Sequence, residues 1–147
     1  MKKIALITTK WNTDFVTPCL EGCVSRLKEK NISDDEIEII TVPGAVEIPL
    51  IAKMLAKTGN YKAIIGIAFV YGGGIYRHEF VAASVVDQII KLSSEIELPI
   101  LSSVLTPVSI DMNKSSDVDF YSSHMRGKGE EVADACMETL AVLANIK

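Results

Sequence analysis

Ala63-Ile64-Ile65-Gly66-Ile67-Ala68-Phe69-Val70 runs for eight residues without a polar side chain. A strand with one wet face alternates apolar and polar residues, whereas a strand covered on both faces reads as a continuous apolar run, and the isoleucines add β-branched character. The stretch is therefore read as the central strand of a parallel sheet. It stops well short of the ~20 residues that a membrane-spanning helix needs.

The same alternation of element types extends outward from it. Upstream, Lys3 to Thr8 reads as a strand, and Asp14 to Lys30 as a helix with Val16, Leu20, Val24 and Leu27 on one stripe. Pro18 limits where that helix starts: either its first turn includes Pro18, or Thr17 caps it with Pro18 in first position. Asn31 to Asp35 is polar punctuation, and Glu36 to Val42 is a strand ended by Pro43-Gly44. The next helix shows Ile48, Ile51, Ala52 and Leu55 and closes at Gly59, a residue suited to the left-handed position after a helix. Downstream of the central strand, Tyr71 to Arg77 leads into a helix with Val81, Val85, Ile89 and Leu92. Pro99 to Leu105 is a strand, Thr106 to Phe120 a long connection, and the last helix carries Val132, Cys136, Leu140 and Leu143. Strand and helix thus alternate four times, which predicts an α/β protein: a flavodoxin-like three-layer αβα sandwich on a four-stranded parallel sheet. One domain spanning 1–147 is expected.

Composition narrows the function classes. With 48% hydrophobic and 23% charged residues, the chain has the makeup of a folded globular protein. A net charge of -4 offers no positive field for nucleic acid or an anionic membrane, so any anion must be held locally. Lys2-Lys3 followed directly by Ile4-Ala5-Leu6-Ile7 lacks the apolar core and cleavage site of an export signal, and a soluble cytoplasmic protein is expected. Cys19, Cys23 and Cys136 lack the spacing of a metal site and read as buried apolar thiols; no metal is expected.

In open parallel sheets, ligands bind beyond the carboxyl ends of the strands. Four segments lie there: Thr9 to Asn12, Val42 to Glu47, Tyr71 to His78, and Leu105 onward. Gly72-Gly73-Gly74 between the central strand and a helix start can expose backbone N–H groups to a phosphate, although such a turn serves equally well as plain structure. The dinucleotide fingerprint would need glycine where Arg77 stands, and no Gly-Lys-Ser/Thr follows, so neither nucleotide motif is present. Arg77 and His78 can pair with an anion and move protons near neutral pH. Trp11, the single tryptophan, offers a face for a planar heterocycle or fills the core. Glu47 either accepts hydrogen bonds from hydroxyls or caps the second helix. Lys128, between Gly127 and Gly129, is a charge at a helix start or a ligand contact.

Taken in order, Lys10-Trp11-Asn12, Val42-Pro43-Gly44-Ala45-Val46-Glu47-Ile48-Pro49, the glycine turn with His78-Glu79-Phe80-Val81, Leu105-Thr106 and Gly127-Lys128-Gly129 resemble the lumazine synthases. The resemblance spans nearly the whole chain, and its second segment is the most specific. The form Gly-Gly-Gly-Ile-Tyr-Arg-His-Glu-Phe-Val-Ala over 72–82, with tryptophan at position 11, resembles the second class of that family, which implies a decamer of two face-to-face pentamers. It also implies active sites shared between neighbouring subunits. The implied reaction condenses a ribitylamino-pyrimidine with a four-carbon sugar phosphate, without cofactor.

Carried over residue by residue, the resemblance puts Trp11 on the pyrimidine with Asn12 at its border, and Ala45 and Glu47 on the ribityl chain. Val70 and Tyr71 would present backbone to the pyrimidine edge, Gly73 and Gly74 would hold phosphate, and Lys128 would reach a ring carbonyl. Val46 and Ser102 stand where the family commonly has aromatics and, with Ile75, complete the expected substrate-binding set. His78 would carry the proton, but the family's usual histidine aligns with Arg77, so which of the two faces the substrate is open. The usual phosphate-binding arginine has no clear counterpart, and Lys114, His124 and Arg126 are the candidates. These departures keep a second reading open, a catalytically weak paralogue that binds a flavin or lumazine. A third is a regulatory domain of the same fold that binds another phosphorylated ligand.

Overall fold

The computed structural model describes residues 1–146. They form strands β1 (Lys3–Thr9), β2 (Ile37–Val42), β3 (Tyr61–Phe69) and β4 (Ile100–Leu105), all parallel in the order β2-β1-β3-β4. The helices are α1 (Thr13–Glu29), α2 (Ile48–Lys57), α3 (His78–Ile96) and α4 (Ser115–Ile146). Two apolar clusters sandwich the sheet. Ile4, Leu6, Ile65 and Ile67 meet Phe15, Cys19 and Cys23 of α1 and Met125, Val132 and Cys136 of α4. On the opposite face Ala5, Ile7 and Ile64 meet Ile48 and Ala52 of α2 and Val85, Ile89 and Leu92 of α3. This is the three-layer αβα sandwich that the strand and helix order predicts. Every residue of β3 except Lys62 is buried, as the unbroken apolar run requires. No described helix is long and apolar enough to cross a membrane.

Both expectations for the start of the first helix are corrected. It begins at Thr13, after Asn12, whose carbonyl accepts the N–H groups of Phe15 and Val16, and Pro18 lies in the second turn. A proline there withholds the N–H that the carbonyl four residues earlier would accept. That carbonyl belongs to Asp14, and the Ser122 hydroxyl of α4 donates to it at 3.0 Å. The defect inside α1 is thus repaired from its neighbouring helix.

The long connection is also shorter than expected, because α4 starts at Ser115 and the loop covers 106–114. Ser115, Ser116, Asp117 and Asp119 make this stretch read as a polar loop, yet Val118, Tyr121 and Met125 pack at helical spacing against the core. Gly127-Lys128-Gly129 accordingly lies inside a helix and not before one. The reason for glycine there is steric. A Cβ on Gly129 would stand 1.9 Å from the Cys19 carbonyl oxygen, and one on Gly22 would stand 2.2 Å from that of Arg126, so α1 and α4 cross with backbones in contact. Arg26 reinforces the crossing, donating to Asp134 at 2.5 Å and Glu130 at 3.2 Å. The three cysteines are buried and free at the same crossing. Burial pushes Cys136 up to about 12 and Cys23 higher still, so their role is packing.

The sheet's register determines where chemistry can sit. Thr9 pairs with Val42, and Phe69 with Leu105, so the strands end together and their following loops meet at one edge. Backbone bonds extend the alignment past the strand ends, from Lys10 N–H to the Val42 carbonyl at 2.9 Å and from Val70 N–H to the Leu105 carbonyl at 2.8 Å.

Candidate active site

The loop after β1 turns sharply because Asn12 adopts a left-handed backbone, φ 62°, a conformation that asparagine tolerates better than most residues. Its side chain then spans to the central strand, Nδ2 donating to the Phe69 carbonyl at 2.6 Å. That clamp leaves Trp11 as a wing over the turn after β2. A Cβ on Gly44 would lie 2.5 Å from two indole carbons, so the indole rests directly on the Gly44 backbone. Trp11 remains 64% exposed, which rules out the core-packing alternative. Its free face borders a cavity of about 180 Å³ shared with Thr9, Asn12, Ala45, Val46, Val70 and Tyr71. Val81, expected in the core, is partly exposed here and lines the same cavity.

Glu47 is tied to its own turn. Its Oε2 accepts the Gly44 N–H at 2.9 Å, the reach-back of a helix-start capping box, so the structural alternative describes its contact here. The bond also fixes Gly44, and with it the shelf under Trp11. Glu47 does not line the Trp11 cavity.

Tyr71 separates this cavity from a larger one of about 490 Å³, whose walls are the glycine turn, Ile75 to Glu79, and the segment from Pro107 to Ile110. Gly74, which lines this cavity, has φ +84°, which side-chain-bearing residues rarely adopt, and a Cβ there would meet nothing within 4 Å; Gly73 is equally open but lies outside the lining. The turn therefore presents open backbone to the cavity. His78 opens α3 and tucks beneath the turn: a Cβ on Gly72 would collide with the imidazole Nδ1 at 2.5 Å. Glu79 Oε2 lies 3.6 Å from that nitrogen. Arg77 lies at the rim, its guanidinium carbon 5.7 Å from the centre of the exposed Phe80 ring.

Two expected residues are elsewhere. Ser102 and Lys128 share a separate depression of about 300 Å³ with Leu101, Leu105 and Glu131, on the face that carries α4. The Ser102 hydroxyl accepts the Val104 N–H at 3.2 Å, and the Lys128 ammonium donates to Glu131 at 2.5 Å. Neither lines the Trp11 or glycine-turn cavities in this subunit. Lys114, His124 and Arg126 do not line the glycine-turn cavity either. The His124 ring stacks on Phe120 at 5.9 Å, and Arg126 approaches Glu130 at 3.8 Å.

Sequence reasoning placed the chain from Leu105 onward at the ligand end without singling out Pro107 to Ile110, a segment held in part by the Tyr121 hydroxyl, which donates to the Ser109 carbonyl at 3.0 Å. It also missed Gly44 and Gly72 as the surfaces on which the indole and the imidazole rest. A glycine beside an aromatic and a glycine shortly before a histidine were visible, but the contacts are made across a turn.

Residues 1–144 match the family profile described as 6,7-dimethyl-8-ribityllumazine synthase. A protein named 6,7-dimethyl-8-ribityllumazine synthase 2 from Pseudomonas syringae pv. tomato is 40% identical over 99% of this chain and 85% of its own length. A 6,7-dimethyl-8-ribityllumazine synthase from Rhodococcus erythropolis is 38% identical over 97% of this chain and 93% of its own. Another named synthase 2, from Bradyrhizobium diazoefficiens, is 35% identical over 99% of this chain and 87% of its own. Matching along almost its whole length, the chain belongs to the 6,7-dimethyl-8-ribityllumazine synthase family.

Proposed function

We propose that the chain is a lumazine synthase of riboflavin biosynthesis, acting as one domain over 1–147. It would condense 5-amino-6-(D-ribitylamino)uracil with 3,4-dihydroxy-2-butanone 4-phosphate to give 6,7-dimethyl-8-ribityllumazine, phosphate and water. The observation that carries the reading is the pairing of an aromatic-flanked cavity with a glycine-walled one, joined at Tyr71. One suits a planar pyrimidine and the other an anion. In this reading Trp11 stacks on the pyrimidine, Asn12 and the backbone of Val70 and Tyr71 border it, and Ala45, Val46 and Glu47 meet the ribityl chain. Gly73, Gly74 and Ile75 enclose the phosphate.

The reaction is an amine attack on a ketone with loss of one water, a phosphate elimination, and a ring closure with loss of a second water. No step changes the overall oxidation state, so the protein must supply orientation and proton transfers. Orientation of two bound reactants lowers a barrier by several kcal/mol, and a placed acid–base group adds ~10²–10⁴-fold. His78, held under Gly72 at the mouth of the larger cavity, is the proton carrier, with Arg77 beside it.

The separate place of Ser102 and Lys128 supports a site shared between subunits, one contributing Trp11 and His78 and its neighbour Ser102 and Lys128. The assembly of this reading is a decamer of two pentamers, in the cytoplasm. An equimolar mixture of Trp11→Ala and Lys128→Gln, refolded together, tests the shared site: it recovers activity that neither variant has alone. Formation of the lumazine from both substrates, followed by its absorbance and fluorescence, tests the activity itself.

A further inference from the structure

We infer that Arg77 is the phosphate-binding side chain of this protein, clamping the phosphomonoester of the four-carbon substrate against the glycine turn while His78 alone moves protons. The inference rests on the lumazine synthase reading and assigns within it the cation that the sequence left unassigned. Of the side chains that line the glycine-turn cavity, only Arg77 carries a permanent positive charge. Within one subunit Lys114, His124 and Arg126 do not line that cavity, and Lys128, in another depression beside Glu131, is assigned in the shared-site reading to the pyrimidine of a neighbour's site.

Arg77 makes no ion pair among the described residues, while the cavity's one carboxylate, Glu79, approaches His78. Its guanidinium carbon lies over the Phe80 ring, 5.7 Å from the ring centre. A cation–π contact occupies no N–H donor, and the guanidinium fork that matches two phosphate oxygens at once is left available. Phe80 thus parks the cation at the rim with its donors available. The imidazole differs in every respect: it is tucked under Gly72, only 20% exposed, and faces Glu79. Gly74 lines the same cavity as Arg77, and a Cβ there would meet nothing within 4 Å, so the turn leaves room for an anion.

The experiment separates binding from turnover by using inorganic phosphate as the probe. Wild type, Arg77→Gln, Arg77→Lys and His78→Gln are compared for KM of each substrate, for kcat, and for the Ki of inorganic phosphate against the sugar phosphate. Phosphate affinity of the enzyme without other substrates is measured by calorimetry. Loss of a charged hydrogen-bonding partner predicts that Arg77→Gln raises both the KM of the sugar phosphate and the Ki of phosphate by about 10–100-fold, in parallel. The KM of the amine stays within about twofold, Arg77→Lys falls between, and His78→Gln lowers kcat with phosphate affinity retained. Unchanged phosphate affinity in Arg77→Gln, or a loss of kcat alone, overturns the inference. Wild type that forms no lumazine but binds phosphate through Arg77 overturns the functional reading and keeps the assignment. Turnover with phosphate binding indifferent to Arg77 does the reverse.

Discussion

Two glycines, two residues apart on α4, respond oppositely to the same added methyl group. Gly129 is buried in the crossing with α1, where a Cβ would stand 1.9 Å from the Cys19 carbonyl oxygen and 2.8 Å from the Cys23 nitrogen. All of these are backbone atoms, so no side chain can swing aside. Reaching even the 3.0 Å that real Cβ contacts respect requires the helices to part by roughly an ångström, and gaps of ~0.5–1 Å already forfeit a quarter to a half of a contact's dispersion energy. Spread over Cys19, Cys23, Ala133 and Cys136, the cost reaches about 3 kcal/mol, at the upper end for overpacking. Alanine returns about 1 kcal/mol of helix propensity, leaving Gly129→Ala about 2 kcal/mol less stable. Gly127 is exposed and its Cβ would meet nothing within 4 Å, so Gly127→Ala keeps only the gain. At roughly 2–4 °C per kcal/mol for a chain of this size, Tm falls by about 4–8 °C in the first variant and rises by about 2–4 °C in the second. Thermal melts at one fixed subunit concentration measure both. Equal and small shifts, or a stable Gly129→Ala, would refute the backbone crossing and return residues 127–129 to the role of a helix start.

Other perturbations reach the site and the core. Trp11→Ala weakens binding of riboflavin or the ribityllumazine by about 1–3 kcal/mol while costing at most about 2 kcal/mol of stability, since most of the indole is exposed; Trp11→Phe binds nearly normally, and ligand quenching of tryptophan emission reads the wild-type affinity. The thiols give a pH signature. Burial raises Cys23 and Cys136 above their ordinary value of 9.0, so both are neutral in folded and unfolded chains below that pH and their contribution is fully present there. Above pH 9 only the unfolded thiols ionise, and stability falls as pH rises; denaturant midpoints at pH 8 and pH 10 show a smaller loss in Cys23→Ala than in wild type. Native protein also leaves a thiol-specific disulfide reagent unreacted until denaturant is added.

The parts of the fold that were legible are those set by periodicity. An apolar run in β3 and stripes in α2 and α3 depend only on which face each residue meets, and the pattern carries that directly. Where α1 begins was not legible, because Pro18 in a second turn is tolerated only through Ser122, 104 residues away. The first turns of α4 were hidden for a related reason: most of their residues are polar, and the aromatic cluster that holds Tyr121 beside Phe69, with rings 5.9 Å apart, joins distant parts of the chain. At the site, the motif order supplied Trp11, Asn12, Val70, Tyr71 and His78, all of which lie at one edge of the sheet. Two neighbours in sequence, Arg77 and His78, take different environments because the helix starts between them, a boundary that side-chain chemistry alone does not reveal.

The central claim is that this chain, unaided, makes a lumazine from an aromatic amine and a sugar phosphate. The measurement is a time course of product absorbance and fluorescence with purified protein at high concentration, both substrates, and a metal chelator present without added nucleotide. The account predicts saturable formation of 6,7-dimethyl-8-ribityllumazine with one phosphate released per product, lost on replacing His78 by glutamine. Folded protein that binds riboflavin yet forms no product above the uncatalysed rate would contradict it and establish the chain as a ligand-binding paralogue.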